Sequence, residues 1–325
     1  MTTEILVPEI DFNYVPYGNF FLVKEAIESG GFYPMWITGH SGNGKTKMIQ
    51  QACAYAGVPN QLIKENFTKR NDLERVVLDY KQKNEIGKKF VRVNFTQETG
   101  EDDLMGHKTL VDGNVEFVAG PVKRAAEEGA ILLIDEFDLG HVNKIMCMQP
   151  VLEGNRFHIK ANNSFVTPKF GFNIFATSNT KGRGSEDGRY GGTSILNSAM
   201  LDRFPGMIEH DYPSIETEVI ILKRYFGYFY QKLGKDTSKI DQTELNNIVN
   251  WFGILAQWAN SIRVGVEEEV ITTRTLINII QAYAIFQDKS RAIHLACARY
   301  DDQVKKDFLT GYAALDKTFD EEYKD

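Results

Sequence analysis

Apolar positions recur at helical spacing near the start of the chain. Phe20, Phe21, Val23, Ala26 and Ile27 form one stripe over 19–31, and Gly30-Gly31 end it. The mostly apolar run Phe32 to Thr38 then predicts a short buried strand. After a glycine-rich turn, Met48, Ile49, Ala52 and Cys53 restore helical spacing. Phe90 to Phe95 alternates as a strand does. Thr109 to Val118 predicts a hairpin turning at Asp112-Gly113. Gly120-Pro121 ends it, and a short helix from Val122 to Glu128 is closed by Gly129. Ile131 to Ile134 is apolar without interruption, the pattern of a central strand covered on both faces. A second hairpin is expected over 156–170, turning at Ala161-Asn162-Asn163. Phe172 to Thr177 predicts the next core strand, ending at Ser178-Asn179. A Gly- and charge-rich loop, 181–192, precedes a short helix ending in Leu201-Asp202-Arg203-Phe204.

After Tyr212-Pro213 the pattern becomes helical throughout, with stripes such as Ile248, Trp251, Phe252 and Leu255, or Leu276, Ile277 and Ile280. A domain boundary is therefore expected near 212. The division is an extended leader over 1–18, a nucleotide-binding α/β domain over 19–212, a helical domain over 213–316 and an acidic tail over 317–325. Within the first domain, 59–89 is locally basic, with eight Lys/Arg against five Asp/Glu. Leu73, Val76, Val77 and Tyr80 give it a helical stripe, so a solvated amphipathic helix is expected, with docking of an acidic partner as the sharper alternative.

The 325 residues suit one large or two moderate domains, and 42% hydrophobic content suits a real core. A net charge of −7 weighs against general nucleic-acid or anionic-membrane binding. Cys53, Cys147 and Cys297 are scattered and predict neither a disulfide frame nor a zinc site. No basic-then-apolar signal segment and no membrane-length apolar run is evident, which gives a cytoplasmic expectation.

Candidate chemistry concentrates at Gly39-His40-Ser41-Gly42-Asn43-Gly44-Lys45-Thr46, which satisfies the phosphate-loop pattern at every constrained position. Glycines let backbone N–H groups converge on a polyphosphate, and the following helix adds its positive end. Lys45 is expected to neutralise β/γ-phosphates and the Thr46 hydroxyl to hold Mg²⁺. His40 occupies a variable position and receives no side-chain role. Asp135 and Glu136 arrive at the end of the apolar strand, where open α/β sheets place ligand chemistry. One carboxylate would serve the metal and the other the attacking water. Asn179 could hold the γ-phosphate and water in register, or could simply cap a turn. Arg203 could meet a phosphate, or pair with Asp202 or another carboxylate. Arg274 could reach the nucleotide from the second domain, or lie on a helix surface. The six histidines show no metal-ligand pairing, no Ser/His/Asp or Cys/His nucleophile is evident, and the missing N-K-x-D pattern favours ATP over a guanine nucleotide.

In this order the phosphate loop, Ile131 to Asp138, Phe172 to Asn179, Leu201 to Phe204 and Ile271 to Thr275 resemble Walker A, Walker B, sensor 1, arginine finger and sensor 2 of AAA+ ATPases. The resemblance is strongest to the MoxR-like branch, and within it to the ATPase subunit of aerobic cobaltochelatase. Val7-Pro8-Glu9-Ile10-Asp11, Val151-Leu152-Glu153 and Thr272-Thr273-Arg274-Thr275 also resemble that subunit. The resemblance implies a P-loop αβα sandwich with a parallel sheet and a smaller C-terminal α-helical lid. It further implies ATP and Mg²⁺, a homo-oligomer that is a ring of six, and Arg203 acting on the adjacent subunit's γ-phosphate. The two hairpins would be inserts that engage partners, among them a metal-binding subunit with an integrin-like domain. Residues 59–89 are an insertion relative to the chelatase subunit, and the chain carries no metal- or porphyrin-binding signature of its own. A remodelling ATPase for another protein complex, a nucleic-acid motor and a non-hydrolysing scaffold stand as alternatives.

Overall fold

Ile131–Asp135 is an interior strand of the chain's main sheet, paired on both sides, and every residue of it is buried. Its four aliphatic side chains are at most 1% exposed, each worth about 1.5–3 kcal/mol of transfer from water. The structure is a computed structural model, and it describes residues 5–182, 198–265 and 269–319. The expected loop over 181–192 therefore lies mostly outside the described residues, as does most of the acidic tail. Two compact units are present, and more than one cut in the chain separates them. The first takes residues up to 11, then 18–66 and 71–211. The second takes 12–17, 67–70 and 212 onward.

In the first unit the strands are β1 (Met35–Thr38), β2 (Phe90–Asn94), β3 (Gly106–Val111), β4 (Asn114–Ala119), β5 (Ile131–Asp135), β6 (Phe157–Ile159), β7 (Ser164–Val166), β8 (Asn173–Ser178) and β9 (Gly206–Glu209). Five of them form one sheet in the order β2-β5-β8-β1-β9, and every pairing in it is parallel. β3–β4 and β6–β7 are separate antiparallel hairpins. The first turns at Asp112 and Gly113, both with positive φ. That is the geometry a two-residue hairpin turn demands.

The helices of this unit are α1 (Phe20–Glu28), α2 (Lys45–Ala54), α3 (Asn60–Asn66), α4 (Arg70–Lys83, whose first residue belongs to the second unit), α5 (Glu101–Met105), α6 (Pro121–Glu128), α7 (Val142–Ile145), α8 (Gln149–Leu152) and α9 (Ser198–Leu201). α2 packs on β5 and β8, α6 on β2 and β5, and α1 on α2. Within 59–89 the buried positions of α4 are Leu73 and Val77.

β8 separates the strand leading into the phosphate loop from the strand carrying the acidic pair. Thr38 pairs with Ser178 on one side of β8, and Ile134 pairs with Ala176 on the other. Loop, acids and Asn179 therefore share the C-terminal edge of the sheet.

The second unit contains α10 (Ile215–Lys232), α11 (Gln242–Val264), α12 (Thr273–Phe286), α13 (Lys289–Cys297) and α14 (Asp302–Leu315). Ser214, Asp241, Thr272 and Asp288 cap four of these helices with side-chain bonds to first-turn N–H groups. Such a cap typically stabilises by ~1 kcal/mol. The core is aromatic, with Phe226, Trp251, Phe252, Trp258 and Tyr312 buried together. Two charged side chains on α10 are buried with it. Arg224 donates to the carbonyls of Phe12 (3.0 Å), Tyr14 (2.7 Å) and Phe67, so the two short segments join the helices through one guanidinium. Glu218 accepts both terminal nitrogens of Arg263 (3.0 and 2.9 Å) and the Thr273 hydroxyl (2.7 Å).

Candidate functional site

The phosphate loop runs from β1 into α2. Gly39, Gly42 and Gly44 all have positive φ (146°, 72° and 91°), a region L side chains avoid. At Gly39 space also forbids a side chain, since a Cβ would lie 2.1 Å from the His210 carbonyl oxygen. Asn43 ties the loop to the residue just after β9 by donating its amide to that same carbonyl, and His210 N–H donates to Thr38 O at 2.8 Å. His40 and Ser41 are exposed, whereas Asn43 and Lys45 are buried.

The Lys45 ammonium donates to the carbonyls of Gly39 (2.6 Å) and His40 (2.8 Å). It lies 3.3 Å from the Asn179 side-chain oxygen. Thr46 donates its hydroxyl to the Asp135 carboxylate, 2.9 and 3.1 Å from its two oxygens. Four sequence-predicted residues, Lys45, Thr46, Asp135 and Asn179, are thus brought together from the phosphate loop, β5 and the end of β8. A hydroxyl and a carboxylate in contact are a hard-oxygen donor pair of the kind Mg²⁺ takes when phosphates complete its shell. These residues fit that ion.

Glu136 follows in the left-handed region (φ 58°, ψ 45°), a conformation that costs a non-glycine residue of order 1 kcal/mol. The kink leaves its side chain exposed at the sheet edge while Asp135 beside it stays buried. The hydroxyl of Thr177 donates to Asp135 and accepts the Glu136 N–H at 3.4 Å. One β8 threonine thereby orients both acids.

Several site residues carry no motif letter. Arg92 on β2 sets its guanidinium on Asp135 Oδ2. Asp138 is buried and accepts the Thr180 N–H (3.0 Å) and hydroxyl (2.8 Å), holding the chain just after Asn179. Burial raises the Asp138 carboxyl above its ordinary range. Burial, reinforced by the Lys45 charge, pushes the His210 imidazole down to about 4. Beside the loop lies a cavity of about 460 Å³, lined by Gly39, His40, Asn179, Lys181 and His210 among others. Lys181 pairs with Glu209 at its rim, 2.7 Å apart. The buried histidine and the β2 arginine had no local signal, because their roles depend on which strands become neighbours.

The two predicted arginines are placed by their own contacts and elements. Arg203 pairs through Nε with Glu153 at 2.8 Å and donates through Nη1 to Ala199 O at 2.6 Å. Its carboxylate partner is therefore Glu153 rather than the adjacent Asp202. Arg274 is exposed in the first turn of α12, in the helical unit. Burial pushes the thiols of Cys147 and Cys297 up to about 12 and that of Cys53 higher still, so none is poised as a nucleophile. Among the described residues no group of three or more His, Cys, Asp and Glu could hold a metal ion, and no helix is long and apolar enough to cross a membrane.

Parts of the chain are similar in sequence to known proteins. A stretch of 152 residues is 32% identical to the aerobic cobaltochelatase subunit CobS of Sinorhizobium sp, covering 45% of this chain and 46% of that protein. Midasin of Dictyostelium discoideum is 29% identical over 140 residues, 42% of this chain and 2% of that one. The uncharacterized protein YojN of Bacillus subtilis (strain 168) is 25% identical over 219 residues, 66% of this chain and 65% of that one. The chain thus spans less than two thirds of each of these relatives. The profile of the AAA domain (dynein-related subfamily) matches residues 34–204, from the strand before the phosphate loop to the corner holding Arg203. That span is more than half of the 325 residues, and with loop, acids and Asn179 on one sheet edge the chain belongs to the AAA ATPase family, in its dynein-related subfamily.

Proposed function

We propose that this protein binds and hydrolyses ATP as a ring-forming motor. The observation that carries the reading is the Thr46–Asp135 contact, with Lys45 and Asn179 beside it. Lys45 would leave the carbonyls of Gly39 and His40 for the more strongly charged β/γ-phosphates. Thr46 and Asp135 would hold Mg²⁺, which when bound neutralises phosphate charge as the terminal phosphoryl group departs. Glu136, exposed by its left-handed backbone, would orient the attacking water and take its proton. Asn179 would fix that water against the γ-phosphate. Arg203 would act on the nucleotide of an adjacent subunit, so Glu153 would have to release it, and Arg274 would complete the site from the helical unit.

Similarity to the cobaltochelatase subunit supports a finer reading. The motor would drive metal insertion into a corrin through separate subunits, one of them metal-binding with an integrin-like domain. The exposed apolar side chains of the β3–β4 hairpin (Leu110 73%, Val115 68%) favour a second reading, remodelling of another protein complex. Affinity capture of the Glu136→Gln protein with ATP, followed by identification of what is retained, separates them. Recovery of chelatase-type subunits supports the first, and recovery of an unrelated complex supports the second. If ATP turnover survives in both Lys45→Ala and Glu136→Gln, the hydrolytic reading itself is wrong.

A further inference from the structure

We propose that Arg92 is a charge-tuning residue of the metal position, making cation binding conditional on nucleotide. The inference rests on the reading of Thr46 and Asp135 as the Mg²⁺ residues. Arg92 comes from β2, paired with β5 so that Asn94 faces Asp135 in register. From there its guanidinium reaches Asp135 Oδ2, while Oδ1 accepts the hydroxyls of Thr46 and Thr177. Two hydroxyls from two different elements already orient the carboxylate. The arginine side chain is 48% exposed while that of Asp135 is 9% exposed, so the guanidinium reaches a buried carboxylate from the solvent side. What it does alter is charge. The protein offers a cation one hydroxyl and one carboxylate, and a guanidinium compensates that carboxylate. No cluster of three or more acidic or metal-ligating side chains stands behind it among the described residues.

With the neighbouring Glu136 carboxylate and the Lys45 ammonium counted as well, the formal charges of Asp135, Glu136, Arg92 and Lys45 cancel. A divalent ion therefore meets little net negative potential until a polyphosphate brings its own. Arg92 does not touch the reacting atoms. It acts through Asp135 and through its field on the cation, so that metal and nucleotide enter together.

The test uses the full chain. A fluorescent ADP analogue is titrated at graded Mg²⁺, and Mn²⁺ is titrated without nucleotide and followed by electron paramagnetic resonance. In Arg92→Gln the Mg²⁺ concentration giving half-maximal nucleotide binding should fall roughly three- to tenfold. That is the range expected when a unit charge a few ångströms from a dication is removed in a largely aqueous field. Mn²⁺ should also bind measurably without nucleotide, while nucleotide binding in EDTA is unchanged. Arg92→Met, which keeps an unbranched stem, should repeat this, and Arg92→Lys should match the wild type. A merely structural arginine predicts the opposite sign, since loosening Asp135 would raise the Mg²⁺ requirement. An unchanged or raised requirement in Arg92→Gln and Arg92→Met, or an Arg92→Lys protein behaving like them, overturns the inference while leaving the nucleotide site intact. If the wild type shows no metal-dependent nucleotide binding, the site reading fails and the inference falls with it.

Discussion

His210 offers a quantitative handle on the floor of the phosphate loop. Its ring is 1% exposed, and a Cβ on Gly18 would lie 3.1 Å from its Cε1. Burial and the nearby Lys45 ammonium hold its pKa at about 4, against 6.5 for the free side chain. The folded value is the lower one, so the unfolded chain takes up the proton first as pH falls. Stability is thus undiminished above pH ~6.5 and declines down to ~4, where both states are protonated. At pH 5 the two values correspond to a loss of about 2 kcal/mol relative to pH 7.5, at 1.36 kcal/mol per pKa unit. Urea unfolding of wild type and His210→Gln at the two pH values isolates this contribution, because carboxylates titrate in both proteins. The wild-type midpoint should fall by ~0.7–1 M more than the variant's, for a slope near 2–3 kcal/mol/M. Parallel midpoints would show that the imidazole takes up its proton as readily when folded as when unfolded, refuting this account of the loop floor.

Other outcomes follow from the same geometry. Glu136→Gln should retain ATP binding by equilibrium titration while steady-state hydrolysis falls ~10²–10⁴-fold, the range for a lost general base. Lys45→Ala should abolish nucleotide binding in the same titration while the fold survives by circular dichroism. Arg203→Ala should shift thermal stability by no more than ~1 kcal/mol, since its pair with Glu153 is a surface one. Hydrolysis should nonetheless fall ~10³–10⁵-fold, and mixing with Glu136→Gln subunits should restore part of it. In the helical unit, Arg263→Met leaves Glu218 buried and unpaired. It should cost about 3–5 kcal/mol in denaturant unfolding.

The parts of the molecule legible in the sequence are those encoded locally. Ile131 to Ile134 reads as a central strand because no polar residue interrupts it, and the phosphate loop reads as such because its glycines are spaced for positive φ. Asp112-Gly113 announces a hairpin through the same backbone chemistry. What remained hidden depends on strand order. Arg92 sits in the alternating run Phe90 to Phe95, where an arginine reads as a solvent-facing position. It becomes part of the site only because β2 lies beside β5 in a register that sequence spacing does not specify. Thr177 likewise passes for a β-branched strand residue until β8 falls between β1 and β5. Segments 12–17 and 67–70 join the helical unit through Arg224, a buried guanidinium on a helix whose neighbouring stripe is apolar.

Trp36 donates its indole N–H to Ser178 Oγ at 2.6 Å, and that hydroxyl donates to Thr180 O. The chain's other two tryptophans, Trp251 and Trp258, bond within the helical unit to Tyr312 and Phe308. Under excitation confined to the indole band, where tyrosine does not absorb, emission from a protein lacking the latter pair would arise from a single indole, one residue away from Asn179 along its hydrogen-bond partner. Any rearrangement of that strand end would register as a change in intensity or wavelength, without an attached dye. The complementary protein, with Trp36 replaced, would glow only from the helices, so each half of the molecule can be watched in isolation.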